Sequence, residues 1–216
     1  MVNLAWWVLF LPFLAFILIP LVPDARRRLC GWLALGCILA AWVLSLKLAW
    51  PLLTSTHFQI GESSIAWVTL PTFELEFGLL VDSLSAVMLL IVTGVGSIIF
   101  YYSLEYMAQD KGTRRYFAGL SLFAFSMIGI VLSANLLQLF IFWELVGFSS
   151  YLLIGHWFQK HEAVEAGKKA FLTNRVGDFG FLIGILSLWV LSGPEGARTL
   201  NFLKLNALLP NLELTI

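Results

Sequence analysis

The sequence predicts an all-α protein: a polytopic bundle of about six transmembrane helices with a short β-hairpin-like loop on its outer face. Three observations predict it. Hydrophobic residues make up 60% of the 216 positions and charged residues only 12%, with a mean hydropathy of +0.89, far from the composition of a soluble globular domain. The apolar residues gather into stretches that each reach the length of about 20 residues a bilayer core demands. Lys and Arg fall in alternate short loops, as they do when a chain is threaded back and forth across a membrane. The formal net charge is zero, which excludes the basic footprint of a nucleic-acid binder and leaves the lipid bilayer as the evident surrounding.

In chain order, spans are expected at roughly 3–22, 29–53, 79–104, 116–133, 135–158 and 170–191. The first carries Pro12 and Pro20 and the third Gly94 and Gly96, residues that membrane helices tolerate because neighbours satisfy the freed backbone. The first segment lacks a basic leading region, and its positive charges follow the apolar run, so it is expected to stay as a helix and not be cleaved as a signal peptide. Cys30 and Cys37 stand seven residues apart on one helix, about 10 Å between α-carbons, too far for a disulfide, and read as apolar filler.

Arg26, Arg27 and Arg28 lie in the first loop, Lys111, Arg114 and Arg115 in the third, and Lys160, Lys168 and Lys169 in the fifth. The second loop, 54–78, has no basic residue and carries Glu62, Glu74 and Glu76. The odd loops are therefore expected in the cytoplasm and both termini outside, with a bacterial inner membrane as the host. Within the second loop the runs Phe58-Gln59-Ile60, 65–69 and 73–77, broken at Gly61 and Pro71, read as a small hairpin over the outer face. After Leu191 the chain turns polar and broken, then gives the short amphipathic run 200–205, suited to the outer surface.

The fifth span holds the group around which the chain is organised. Glu144 lies about 14 Å from Asn135 and about 20 Å from Trp157 along the helix, near the midplane of a core about 30 Å thick. An acidic residue there costs roughly 2.5 to 3.5 kcal/mol on insertion scales and cannot snorkel to water. Burial disfavours its charged form and a nearby cation favours it, so it is a candidate for binding and releasing a proton near neutral pH. Phe148, Tyr151 and Gly155 share its face, and Gly147 and Gly155 would allow a close helix approach. In the sixth span Arg175 and Asp178 stand three apart on one face, each able to offset the other's desolvation, either as a structural ion pair or as part of a proton path.

Three further groups each admit two readings. His156, at the cytoplasmic end of the fifth span, suits proton entry by its chemistry, or is simply a wet interfacial residue. Asp82 is either a first-turn charge or cap for the third span or part of a path. Lys47 sits near the outer end of the second span, where it can snorkel. No phosphate loop, zinc spacing, nucleophile triad or iron–sulfur cysteine set is present, so no metal or cofactor site and no redox chemistry are expected in this chain.

The run from Trp143 to Gly155 followed by Lys169 to Gly180 resembles the large antiporter-like subunit of respiratory complex I, called L in bacteria and chain 5 in mitochondria. The Leu80-Val81-Asp82-Ser83-Leu84-Ser85 run and the Arg115-Tyr116-Phe117 start of the fourth span resemble the same family. The resemblance implies a proton-pumping membrane-arm subunit of an NADH:quinone oxidoreductase, with NADH, FMN, iron–sulfur clusters and quinone held by partner subunits. It implies that the glutamate matching Glu144 is an essential protonatable residue paired with a lysine on the next-but-one helix. It also implies inverted five-helix repeats with a broken helix at the site. On that reading the segments are 1–110, three leading helices with the outer loop; 111–192, the first half of a repeat; and 193–216, an outer tail, with the partner lysine expected beyond Ile216. The chain would then be an N-terminal fragment. Two alternatives stay open: a subunit of a cation/proton antiporter or hydrogenase-linked pump, and a non-catalytic membrane scaffold.

Overall fold

The computed structural model describes residues 2–23, 26–54, 60–70, 73–193 and 198–208. Its elements are α1 (Val2–Leu18), α2 (Arg27–Thr54), β1 (Gly61–Leu70), β2 (Phe73–Val81), α3 (Ser83–Tyr106), α4 (Thr113–Leu132), α5 (Leu136–Ile154), α6 (His161–Leu191) and α7 (Phe202–Leu208). Among the described residues six helices, α1 to α6, are long and apolar enough to cross a membrane. Pro12 lies inside α1, and the helix tightens into a 3-10 turn at Ile19–Leu21, around Pro20.

Three boundaries differ from the sequence reading, each for a local reason. Leu79, Leu80 and Val81 do not open the third span; they end β2, paired with Ser63, Glu62 and Gly61, and α3 starts after Asp82. The fifth span stops at Ile154: the Gly155 N–H still makes the helical bond to the Tyr151 carbonyl at 2.9 Å, but the His156 N–H turns back only three residues, to the Leu153 carbonyl at 3.2 Å, and the helix ends there. The sixth helix begins at His161 and not near 170, since hydropathy marks only the part in lipid while the helix continues into water, supported there by Lys168 bonded to Glu165 at 3.0 Å.

Helices α1 to α4 form the packed core, α5 lies against α4, and α6 packs chiefly on α5. Lipid is as apolar as leucine, so helices in a membrane associate through close fit and small residues more than through water exclusion. Gly129 on α4 is the tightest such contact: a Cβ there would stand 2.3 Å from the Phe142 ring on α5. Gly31 on α2 meets Leu104 and Phe117 in the same way. Aromatic rings then link the layers, with Phe13 to Phe125 at 4.7 Å, Phe125 to Phe142 at 5.4 Å and Phe142 to Phe77 of β2 at 6.2 Å between centroids. Several buried hydroxyls bond within their own helices, as Thr93 to the Leu89 carbonyl at 2.6 Å and Ser126 to the Leu122 carbonyl at 2.7 Å.

The expected outer hairpin is present as an antiparallel β1–β2 pair with a bulge at Ala66/Val68. Its strands run longer than the short runs predicted, and β1 begins at Gly61. Residues 58, 59 and 71, where further strand and a break are expected, lie outside the described residues. The hairpin is stitched to the turn between α4 and α5: Asn135 caps α5 by accepting from the Gln138 N–H at 2.8 Å, its Nδ2 donates to the Glu76 carbonyl at 2.8 Å, and the Gly78 N–H donates to Gln138 Oε1 at 3.0 Å. The tail closes over both. Asn201 Nδ2 donates to Glu62 Oε1 at 2.7 Å, Lys204 Nζ lies 3.6 Å from Glu76, and the Leu136 N–H donates to the Leu200 carbonyl at 3.0 Å.

At the opposite end the three basic loops come together. The Arg114 guanidinium reaches the Val22 carbonyl at 3.1 Å, Arg27 approaches the Asp110 carbonyl at 3.5 Å, and Arg115 donates to the His156 carbonyl. The loops that the charge pattern assigns to one side do share one end of the bundle.

Candidate functional site

Glu144 is the ninth residue of the 19-residue α5, about 12 Å from its first residue and 15 Å from its last, so its central depth follows directly from the helix ends. Across from it, α6 runs antiparallel and places Arg175 against it, with Arg175 Nη1 in contact with Glu144 Oε2. Asp178 Oδ2 stands 3.9 Å from the same Nη1. The Arg175 guanidinium also lies over the Phe171 ring, 4.4 Å from its centroid, which supports a cation where water is scarce. Asp178 is held from its other oxygen, since Trp143 Nε1 donates to Oδ1 at 2.8 Å.

The structure therefore brings Glu144, Arg175 and Asp178 into one cluster, and in doing so it adds a cross-helix partner to the expected Arg175–Asp178 pair. The sequence reading assigns Arg175 to Asp178, three residues on, and leaves Glu144 without a cation. In the structure the cross-helix contact to Glu144 is the close one and the same-helix contact the looser one. Two carboxylates thus share one guanidinium. A groove of about 870 Å³ runs beside the cluster, lined by Trp143, Ser150, Thr173, Asn174 and Asp178 among others. Gly147 and Gly177 face this groove, and a Cβ on either meets nothing within 4 Å. Gly147 accordingly does not serve the close helix approach expected from sequence; Gly129, which sequence reasoning passed over, does. Gly155 ends α5 and does serve the close approach, since a Cβ on Gly167 of α6 would stand 3.6 Å from the Gly155 nitrogen.

The other two candidates lie elsewhere. Asp82 is the N-cap of α3, accepting from the Ser85 N–H at 2.7 Å and the Ser85 hydroxyl at 2.8 Å. His156 sits in the turn after α5, only 4% exposed, which corrects the reading of a wet interfacial residue. Its Nε2 faces Asp110 Oδ1 at 3.5 Å, at the edge of hydrogen-bonding reach, with no nearer polar partner. Burial pushes the His156 imidazole below its ordinary value and Arg115 adds to this, while Asp110 opposes both. Burial raises the Asp110 carboxyl, but hydrogen bonds from Trp157 and the Gly112 N–H, with His156 beside it, outweigh that and hold it below the usual carboxylate range. Sequence reasoning missed Asp110. The signal was its place two residues before Gly112, a turn in which an Asp side chain accepts from its own backbone. Among the described residues no three His, Cys, Asp or Glu side chains gather as a metal set.

A half-buried acid at mid-helix thus shares one guanidinium with a second acid, and among the described residues six helices of membrane-crossing length surround or carry the pair, the features of a polytopic membrane protein with a charged site in its interior. Two family models match the chain: complex I chain 5 N-terminus over residues 67–117, and the NADH:quinone oxidoreductase/Mrp antiporter transmembrane family over residues 133–215. The NAD(P)H-quinone oxidoreductase subunit 5 of the Acorus calamus chloroplast is 43% identical over 203 residues, covering 91% of this chain and 27% of the relative. The corresponding chloroplast protein of Nephroselmis olivacea is 48% identical over 167 residues, covering 77% and 26%. Among solved structures the fold is shared with the Mrp complex of Dietzia sp. DQ12-45-1b, with a TM-score of 0.71, 24% identity and coverage of 88% of this chain and 20% of that one. It is shared also with the membrane-bound sulfane sulfur reductase, an archaeal respiratory membrane complex, with a TM-score of 0.77, 18% identity and coverage of 94% and 39%. This chain belongs to the family of complex I chain 5, the antiporter-like subunits of NADH:quinone oxidoreductase. It spans about a quarter of the length of the curated relatives it matches.

Proposed function

We propose that this chain works in proton translocation as part of a membrane-arm subunit of an NADH:quinone oxidoreductase, with Glu144 as the group that takes up and releases the proton. The observation that supports it is the single Arg175 guanidinium between two carboxylates, in contact with Glu144 and 3.9 Å from Asp178. With both acids ionised the cluster carries one net negative charge, so one acid can hold a proton while the other keeps the cation. Protonation of Glu144 removes its attraction for Arg175, and Asp178 Oδ2 is the acceptor within reach. Loss of that proton draws the guanidinium back. Trp143 holds the other oxygen of Asp178, so the carboxylate stays aimed during the exchange. Isolated charges are costly in the membrane interior, and this exchange never leaves the cation alone. The groove beside Asp178, with Ser150, Thr173 and Asn174, offers room and hydrogen-bonding groups for water.

Partner membrane-arm subunits belong to this reading, as do the NADH, FMN, iron–sulfur clusters and quinone expected in partner subunits; the support is the chain's kinship with oxidoreductase subunits. We assign the basic loops to the cytoplasmic face of a bacterial inner membrane, on the strength of the Lys and Arg in three alternate loops. The six helices of membrane-crossing length among the described residues and the matching transmembrane family model support the coarser assignment to a multi-pass membrane protein.

The test is Glu144→Gln in the assembled complex, in sealed vesicles, with proton translocation and NADH oxidation followed together. The expected result is intact assembly with translocation through this subunit lost. A Gln variant that moves as many protons per electron as wild type would leave the chain a scaffold.

A further inference from the structure

We propose that His156 and Asp110 are positioning residues: together they form an acid-released clasp that holds the α5–α6 turn against the α3–α4 turn and so fixes α6, with Arg175, against Glu144. The inference rests on the Glu144–Arg175 site proposed above. Within this chain only Gly167, Asp178 and Ile185 of the α6 residues are buried, and the substantial packing of α6 is on α5. The turn that leads into α6 is a further attachment of that helix.

The entry is the turn 155–160, and its fastenings lead to Asp110, to α4 and, through the Trp157 ring 6.3 Å from that of Tyr106, to the end of α3. The Asp110 carboxylate accepts from Trp157 Nε1 at 2.8 Å through Oδ2, and from the Gly112 N–H through Oδ1. His156 Nε2 faces that same Oδ1 at 3.5 Å. From α4, Arg115 donates to the His156 carbonyl and its guanidinium lies 4.6 Å over the Phe158 ring. Tyr116 meets the imidazole edge to face at 5.5 Å. Gly112 leaves the space the ring fills, since a Cβ there would stand 2.9 Å from His156 Cε1. Among the described residues the charged and titratable groups around the imidazole are Asp110 on one turn, Arg115 and Tyr116 on α4, and Tyr106 at the end of α3, which lines the same cavity, with Lys160 of its own turn over Trp157 at 5.4 Å.

The direction of the pH response follows from the burial of the ring. The closed turn holds the imidazole below its ordinary value of 6.5 and Asp110 below 3.8. The open turn thus binds more protons than the closed one, so closure is favoured above the ordinary histidine value and weakens as pH falls below it. One proton on Nε2 would then loosen α6 at its entry, without touching the cluster around Glu144.

The test places nitroxide labels on Leu152 of α5 and Leu172 of α6, both exposed, in the assembled complex, and reads the distance between them by pulsed electron resonance. At about pH 8 wild type is expected to give one narrow distribution, which broadens at about pH 5.5 as the imidazole charges. His156→Gln cannot charge and is expected to keep the pH 8 width at both values. Asp110→Asn, which keeps the shape but weakens the acceptor, is expected to be broad already at pH 8. It decides the matter should the His156 variant fail to assemble. A wild-type width that ignores pH, a Gln variant that broadens as wild type does, or a narrow Asn variant overturns the proposal. None of these readings depends on proton transport. A negative Glu144→Gln result would remove the proposed function and leave the clasp standing, and the reverse also holds.

Discussion

Helices α4 and α6 both cross the membrane core, yet 67% of the residues along the apolar stretch of α4 are buried against 11% along α6. In α4 the charges, Arg114 and Arg115, stop in the first turn, and the rest is small and apolar, with Gly129 seated on the Phe142 ring. Along α6 run Glu162, Glu165, Lys168, Lys169, Arg175 and Asp178, and its Gly177, Gly180 and Gly184 meet nothing within 4 Å. One helix builds the fold and the other carries the charge. On the proposed function the Arg175 guanidinium changes partners, which a tightly packed wall would hinder, and a wall need not carry charge.

The sharpest way to break this contrast is a pair of glycine substitutions. Gly129→Ala drives its methyl into the Phe142 ring and is expected to cost about 1 to 3 kcal/mol, read as a lower unfolding midpoint of the detergent-solubilised protein. Gly177→Ala, with open space around it, is expected to be neutral or to gain up to about 1 kcal/mol from helix propensity. Next, Arg175→Leu takes the cation from Glu144 while leaving α4 untouched. Assembly should persist, and translocation should fall on the order of ten-fold or more, the size expected when a charge-assisted partner worth about 1.5 to 3 kcal/mol is removed.

Asp82→Ala removes the cap of α3 and is expected to cost about 1 kcal/mol of stability with translocation unchanged, which separates this carboxylate from the one on α5. Acid should weaken the turn that holds α6 before it affects the core. The His156 contribution is present above its ordinary 6.5 and declines as pH falls below it, and hydrogen exchange of residues 155–160 against those of α4 reports the difference. Smallest of all, Val176→Ala on the outward face of α6, 79% exposed, is expected to change stability by no more than about 0.5 kcal/mol, read at the same unfolding midpoint.

Much of this molecule is legible in its sequence, and what is not has a physical reason. Six spans, the outer hairpin and the clustering of basic loops rest on period, length and charge count, which act locally. Depth along a single helix likewise singles out Glu144. The expected Arg175–Asp178 pair is present, but the second partner of Arg175 is missed because spacing along one helix sees Asp178 three residues away and cannot see α5 coming antiparallel beside it. The same blindness hides Gly129, whose role exists only because Phe142 lies opposite, and Asp110, whose acceptor oxygens matter only because the 155–160 turn folds back over them. Helix ends shift where hydropathy and helix part company, as at His161, where the helix leaves the lipid and continues.

The central claim is that Glu144 exchanges its proton within the membrane. Infrared difference spectroscopy of the assembled complex, resting against turning over, observes this directly in the stretching band of a protonated carboxylic acid. A band that appears or shifts on turnover in wild type and vanishes in Glu144→Gln is the predicted result. A band that persists unchanged in that variant would show that the exchanging proton sits elsewhere.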